Sequence, residues 1–236
     1  MKVIVTLTTW TKRIASSIET IKSILEGDML PDLIVMNLSK TEFDGIALPS
    51  EIIDLEHDEE RFKINWVDGP NTKTFKKVLP TLEMFPNDIV ISIDDDIYYP
   101  KNFVRELVEE FNKNPNHPLT TSYNYYKGAL IPWGGGTLFK YDFIKGYDKL
   151  LDKDVIQTYE DDWFYGYMFV YNGYELKLAP NDICYTPGRY YQVTYDDQMY
   201  DTEEYNTSKT IKILDAKLEA HGETFDNLVK NILNKK

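Results

Sequence analysis

Five residues, Ile89-Val90-Ile91-Ser92-Ile93, run straight into three adjacent carboxylates, Asp94, Asp95 and Asp96, and Pro100 closes the stretch. No other feature constrains the chain as tightly. An apolar run of this length reads as a buried strand. Carboxylates packed this closely repel one another and raise each other's pKa values. On these residues alone three uses stay open. The cluster can bind a hard divalent cation, which takes oxygen ligands. It can form a calcium loop, although an EF-hand needs glycine at the sixth position, where Tyr99 stands. It can also be a solvated turn.

The strand belongs to an alternating series. Strands are predicted over 2–8, 33–38, 62–68 and 89–93. Ile14, Ile18, Ile21, Ile24 and Leu25 give helical spacing over 13–25, with Gly27 as the stop. Further helices are expected over 75–85, where Pro80 marks a break or late start, and over 102–111. Such alternation predicts an α/β fold, a mostly parallel sheet with helices on both faces. Ligands of such sheets bind at the carboxyl ends of the strands, where the aspartates stand.

The second half is less regular. A strand is expected over 119–126, a glycine turn feeding a strand over 132–139, and helices over 141–151, 162–172 and 207–233. Residues 185–205 are rich in Tyr and Asp without a period, which suits a lid or a surface connection. The expected organisation is a catalytic domain over 1–180, split into halves 1–100 and 101–180, with a loop and C-terminal helices over 181–236 packed on it.

Composition narrows the partners. The net charge of −13 argues against nucleic acid as the main partner, because phosphate binding needs a basic face. The single cysteine, Cys184, is expected as a buried filler and gives no disulfide framework, so a reducing cytoplasm is the expected compartment. No stretch approaches the roughly 18 apolar residues of a membrane span. His57, His117 and His221 show no ligand spacing and are expected on the surface.

A second acidic cluster, Glu160-Asp161-Asp162, precedes an aromatic helical run. Such residues can cap a helix or meet its dipole, and one would suffice, so a general base also stays open. Between the clusters lies Gly134-Gly135-Gly136 beside Trp133, either a plain turn or a place for close ligand approach.

In this order the chain resembles a GT-A glycosyltransferase of the bacterial family-2-like kind. The resemblance rests on TLTTWTKR (6–13), FKKVLP (75–80), ISIDDDIYYP (91–100), GGGTLF (134–139) and EDDWF (160–164), and covers roughly residues 1–175. It implies a nucleoside-diphosphate sugar donor, a UDP-sugar by family habit, and a glycan or lipid-linked saccharide acceptor. It implies a soluble protein at the inner membrane face, with at most peripheral membrane association. Asp94 and Asp96 match the motif that holds Mn²⁺ or Mg²⁺, with Asp94 and Asp95 also able to meet the donor sugar or ribose. Thr8, Thr9 and Arg13 match the first nucleotide-binding segment, and Gly135 lies in the glycine loop. Lys77 matches a lysine near the nucleotide, although a solvated helix charge has the same pattern. Asp161 matches the catalytic base, with Asp162 a second candidate. The family often reads the base with an Asp after the second strand; this chain has Asn37 and Ser39 there. A sugar nucleotidyltransferase, or a non-catalytic carbohydrate- or calcium-binding module, is the alternative. The first usually carries a glycine- and lysine-rich loop after its first strand, and TLTTWTKRIAS has no glycine.

Overall fold

The computed structural model describes residues 1–184, 191–194, 196–197 and 206–235. The parallel core follows the expected order. Strand β1 (Val3–Thr8) leads into α1 (Ser17–Leu25), β2 (Leu33–Ser39), α2 (Ser50–Asp58), β3 (Phe62–Val67), α3 (Leu79–Met84) and β4 (Ile89–Ser92). Strand β1 pairs in parallel with β2 and β4, and β2 with β3. Apolar side chains of β1, β2 and β4 are buried on both faces, which is why these strands read as near-continuous apolar runs.

Beyond β4 come β5 (Ile97–Tyr98), α4 (Phe103–Lys113), β6 (Leu119–Thr120), β7 (Tyr123–Tyr126), β8 (Ala129–Pro132), β9 (Thr137–Phe139), α5 (Lys153–Ile156), α6 (Asp161–Tyr171), β10 (Lys177–Leu178), β11 (Tyr191–Gln192), α7 (Thr207–Ala220) and α8 (Phe225–Leu233). The main sheet has seven strands in the order β10-β6-β9-β4-β1-β2-β3. It is mixed, because β9 runs antiparallel to both β4 and β6.

Several local expectations change. The strand expected over 119–126 is two strands: β6 stays in the main sheet, and β7 leaves it to form a hairpin with β8. The hairpin turns at Lys127-Gly128, both with positive φ (45° and 88°), the conformation that suits a two-residue hairpin. The helix expected over 141–151 is two 3₁₀ turns, Tyr141–Ile144 and Tyr147–Lys149, separated by Gly146 at φ 72°. Helix α2 was not expected; only Ile52 of it is buried, so it carries little apolar period. The region 75–85 starts as a 3₁₀ turn, Lys73–Lys77, and becomes helical at Leu79 with Pro80 in its first turn, where a missing N–H costs nothing. The helical tail breaks into α7 and α8 at Gly222, φ 76°. Cys184 is half-buried rather than buried, and its thiol faces the Ala179 carbonyl.

The lid expected over 185–205 lies largely outside the described residues. Its described part pairs β11 antiparallel to β5, and the Val193 amide donates to the Asp96 carbonyl at 2.7 Å. Among the described residues no helix is long and apolar enough to cross a membrane.

Candidate active site

The strand-end aspartates leave the carboxyl edge of β4 on a pinned turn. The Asp94 amide donates to the Tyr99 hydroxyl (2.9 Å), and the Tyr99 amide donates to Ser23 of α1 (3.0 Å). Tyr99 is buried against Phe103 at a 4.4 Å centroid separation. The turn is therefore not solvated, and its charges need internal partners.

Two cations supply them. Arg13, buried between β1 and α1, places one guanidinium nitrogen 2.6 Å from both Asp95 and Asp96. Lys77 reaches Asp94 at 3.2 Å and Asp161 at 3.6 Å. Burial works to lower the Lys77 pKa, but Asp161 and Asp94 overcome it and hold the amine well above its ordinary value. Lys77 is thus a largely buried bridge between the two acidic clusters, its side chain 11% exposed, and not a solvated helix charge. Burial would raise Asp94, yet Lys77 and the Gly135 amide pull it below its ordinary value. Asp95 goes the other way, pushed up to about 6 by burial against the pull of Arg13.

The three carboxylates at the start of α6 point to three places. Glu160 is buried and accepts from Thr207 of α7 at 2.7 Å; burial pushes it up to about 6. Asp161, only 5% exposed, faces Lys77, and burial raises its pKa against the lysine. Asp162 is half-buried, accepts from the Gly134 amide at 2.7 Å, and is pushed up to about 7 by burial and by Asp161. Glu160, the residue at the N-cap position, makes no side-chain capping bond. Tyr159, just before the cluster, is a non-glycine residue at φ 62°, held by Thr74, whose hydroxyl donates to its carbonyl at 2.9 Å. Backbone strain of this kind persists where surrounding structure over-determines it.

The glycine loop joins the clusters. While Gly134 grips Asp162, the Gly135 amide donates to Asp94 at 2.7 Å. All three glycines have positive φ, and a Cβ on Gly136 would lie 2.7 Å from Phe103 Cζ. A side chain there would push the loop off both carboxylates.

Other residues take supporting places. Thr8 donates to the Asn37 carbonyl at 2.7 Å, and Thr9 is buried at the same strand end. Asn37 is fully buried and does not face a ligand. It donates to Thr81 (2.8 Å) and Thr6 (3.0 Å), accepts from Asn65 (2.7 Å), and with Thr6 holds the Lys77 carbonyl. Ser39 is likewise buried, bonded to Thr41. This network beneath Lys77 has no local sequence signal, since its members come from four separate segments.

Among the described residues no group of three or more His, Cys, Asp or Glu side chains forms a metal cage. Both Asp94 oxygens are held, one by Lys77 and one by Gly135. The remaining hard-oxygen donors at the turn are Asp95 and Asp96, opposite Arg13. One or two carboxylates suit Mg²⁺, which usually completes its shell with water and substrate phosphates. An apolar cavity of about 190 Å³ opens elsewhere, by the C-terminal end of α6, lined by Leu130, Phe169, Val229 and Ile232.

No family model and no curated protein matches this sequence. Solved structures do match it. TarS 1–349 of S. aureus with UDP-GlcNAc superposes with a TM-score of 0.65 at 13% identity, over 99% of this chain and 72% of that one. The same protein with UDP gives 0.62 at 14%, over 100% and 71%. A longer TarS structure gives 0.61 at 14%, over 99% of this chain and 43% of that one. At such identities the likeness is one of fold.

Proposed function

Starting from a chain that has the GT-A-like fold, we propose that it is a metal-dependent, inverting glycosyltransferase. The donor is a nucleoside-diphosphate sugar, a UDP-sugar in view of the UDP and UDP-GlcNAc held by the structural neighbours. The acceptor is a hydroxyl of a glycan or lipid-linked saccharide, met in the cytoplasm at the inner membrane face. The observation that carries this is Lys77, a largely buried cation joining Asp94 of the strand-end turn to Asp161 of the helix start at the ligand edge of the sheet.

Each part has a chemical task. The donor diphosphate lies by the Asp94–Asp96 turn, with Thr8, Thr9 and Arg13 lining the nucleotide side. Asp96 and Asp95 would hold Mn²⁺ or Mg²⁺, which neutralises charge developing on the departing diphosphate. The Asp161–Asp162 pair supplies the base. Asp161 is held by Lys77; Asp162 is the more open and has its pKa near neutrality, where a general base works best. A base facing the acceptor opposite the leaving group gives one in-line displacement, hence inversion. The loop with Gly135 sets the distance between the two carboxylate groups.

Calorimetry with UDP, with and without Mn²⁺, tests the reading. Binding at least tenfold tighter with the metal is expected. Calcium or saccharide binding with indifference to UDP would favour the non-catalytic module instead.

A further inference from the structure

Trp133 is 52% exposed, and its ring makes no aromatic pair among the described residues. Its place in the hairpin sets where that ring lies. Tyr123 pairs with Pro132 and Asn124 with Ile131, and the Trp133 amide donates to the Ser122 carbonyl at 3.1 Å, which extends the ladder by one pair. Alternation along a strand then puts Trp133 on the same face as Ile131. That face lies against α6: a Cβ on Gly166 would come within 2.6 Å of Ile131 Cδ1. Two residues of strand advance roughly 6–7 Å, or about four residues of helix. From Gly166 that leads to Asp162, whose side chain is bonded by the Gly134 amide next to Trp133.

The backbone that carries the ring is held at three successive amides. Its own amide is fixed to Ser122, and the next two amides are fixed to Asp162 and Asp94. A residue with a large flat apolar side chain, half exposed, thus stands next in the chain to the amide that holds Asp162. Burying such a surface against a matching partner is favourable. A pyranose ring presents a flat face of C–H groups with its hydroxyls at the rim, whereas an open-chain polyol has no such face.

We infer that Trp133 is the platform on which the acceptor sits, and that the acceptor group is a pyranose ring. The inference rests on the transferase reading above. With the sugar face on the indole, one rim hydroxyl points at the Asp161–Asp162 pair. Its oxygen bonds the anomeric carbon of the donor, its proton passes to the carboxylate, and the bond from that carbon to the diphosphate oxygen breaks. The nucleoside diphosphate leaves with the electron pair. Trp133 touches the acceptor and takes no part in proton transfer.

Two measurements test it. In the first, methyl β-D-glucopyranoside, methyl N-acetyl-β-D-glucosaminide and sorbitol are titrated without nucleotide while tryptophan emission is followed. At least one pyranoside should change the emission of the wild type but not of Trp133→Phe, and sorbitol should change neither. Equal responses of the two proteins, a sorbitol response like that of the pyranosides, or no pyranoside response overturns the platform. In the second, UDP release from UDP-GlcNAc is followed with the same glycosides. Trp133→Ala should raise the glycoside KM about tenfold and Trp133→Phe about threefold, the scale of one aromatic contact, while kcat stays within about twofold. An unchanged KM overturns the inference. If the wild type fails to bind UDP by calorimetry, the transferase reading falls, and the emission experiment still decides on the platform.

Discussion

The two acidic clusters are alike in sequence and opposite in electrostatics. The strand-end group has three carboxylates facing two buried cations, Arg13 and Lys77. Among the described residues the helix-start group has three carboxylates and only a share of Lys77. Asp94, in the first, is held below its ordinary pKa, while Glu160, Asp161 and Asp162 are all raised. Asp95, beside it, goes up to about 6, because burial there outweighs Arg13. Crowding of like charges adds to the rise, as Asp161 does for Asp162 and Asp96 for Asp95, but it is not the largest cause. Burial pushes Asp94, Asp95, Glu160, Asp161 and Asp162 up, and the nearby cations decide how far each comes back down. The compensated cluster suits binding, and the under-compensated one suits accepting a proton.

Lys77→Met should break the comparison most severely. It removes the cation both clusters share and leaves the buried Asp161 and the half-buried Asp94 without it. Breaking a buried pair from one side costs about 3–5 kcal/mol. Urea unfolding at pH 8 should show a loss of that order, with turnover below about one thousandth of wild type. The folded pKa values of both aspartates rise in the variant, so the loss is fully present above them and shrinks as pH falls towards 5. A variant as stable as wild type at pH 8 would mean that the clusters are not coupled through Lys77.

Much of this was legible before the structure, and unevenly. Strands β1 to β4 announced themselves because burial on both faces leaves near-continuous apolar runs. Strands β6, β9 and β10 have two or three residues each, too few for any period to appear. Lys127-Gly128 was the only mark of the β7–β8 hairpin. Both acidic clusters stood out as residue types, but what each carboxylate faces depends on side chains far along the chain. Lys77 shows the limit: FKKVLP does not say which lysine faces the acidic clusters and which, Lys76, is buried against Glu42, and the Thr6–Asn37–Thr81 network that fixes the Lys77 backbone is assembled only by folding.

Asp162→Asn sharpens the contrast and carries the next largest effect. Losing a positioned base should lower turnover by roughly 10²–10⁴-fold, with UDP affinity kept. Asp161→Asn should disturb Lys77 as well, and so should be the less stable of the two variants. The Asp162 carboxyl is pushed up to about 7, so in the folded protein it holds a proton that the unfolded chain releases near pH 4. Its ionisation therefore removes stability as pH rises from about 4 to about 7. Asp162→Asn should be more stable than wild type at pH 8, on the order of 1–3 kcal/mol, and the gap should close by pH 4. Wild-type turnover should rise through pH 7 as the carboxyl ionises. If Asp161→Asn loses activity and Asp162→Asn keeps it, the base is Asp161.

Asp96→Asn probes the compensated side. An amide is a poorer, uncharged ligand for a hard cation. The thermal shift produced by UDP with Mn²⁺ should vanish, and metal-linked UDP affinity should fall about 10–100-fold. The fold should survive, because Arg13 keeps Asp95 as a partner. A variant that retains the full shift would remove Asp96 from the metal site.

The smallest effect separates Glu160 from its two neighbours. Glu160 is as acidic by sequence as Asp162, yet it faces α7 and its partner is the Thr207 hydroxyl. Thr207→Val keeps shape and removes that donor. Burial already pushes Glu160 up to about 6, with the Thr207 bond resisting the rise, so losing the bond should raise it further. A buried acceptor stripped of its partner costs about 1–3 kcal/mol. The loss of a single hydroxyl donor, from a carboxyl that can take up a proton in response, places this one at the low end, about 1 kcal/mol at pH 8. A raised folded pKa means the cost applies above that pKa and fades as Glu160 takes up its proton, so little should remain by pH 4.5. Turnover should stay within about twofold, since Glu160 does not face Lys77 or the glycine loop. Chemical unfolding at the two pH values and one rate measurement suffice. A tenfold loss of turnover would put Glu160 in the chemistry, and the helix-start cluster would then act as a triad instead of a pair with a structural neighbour.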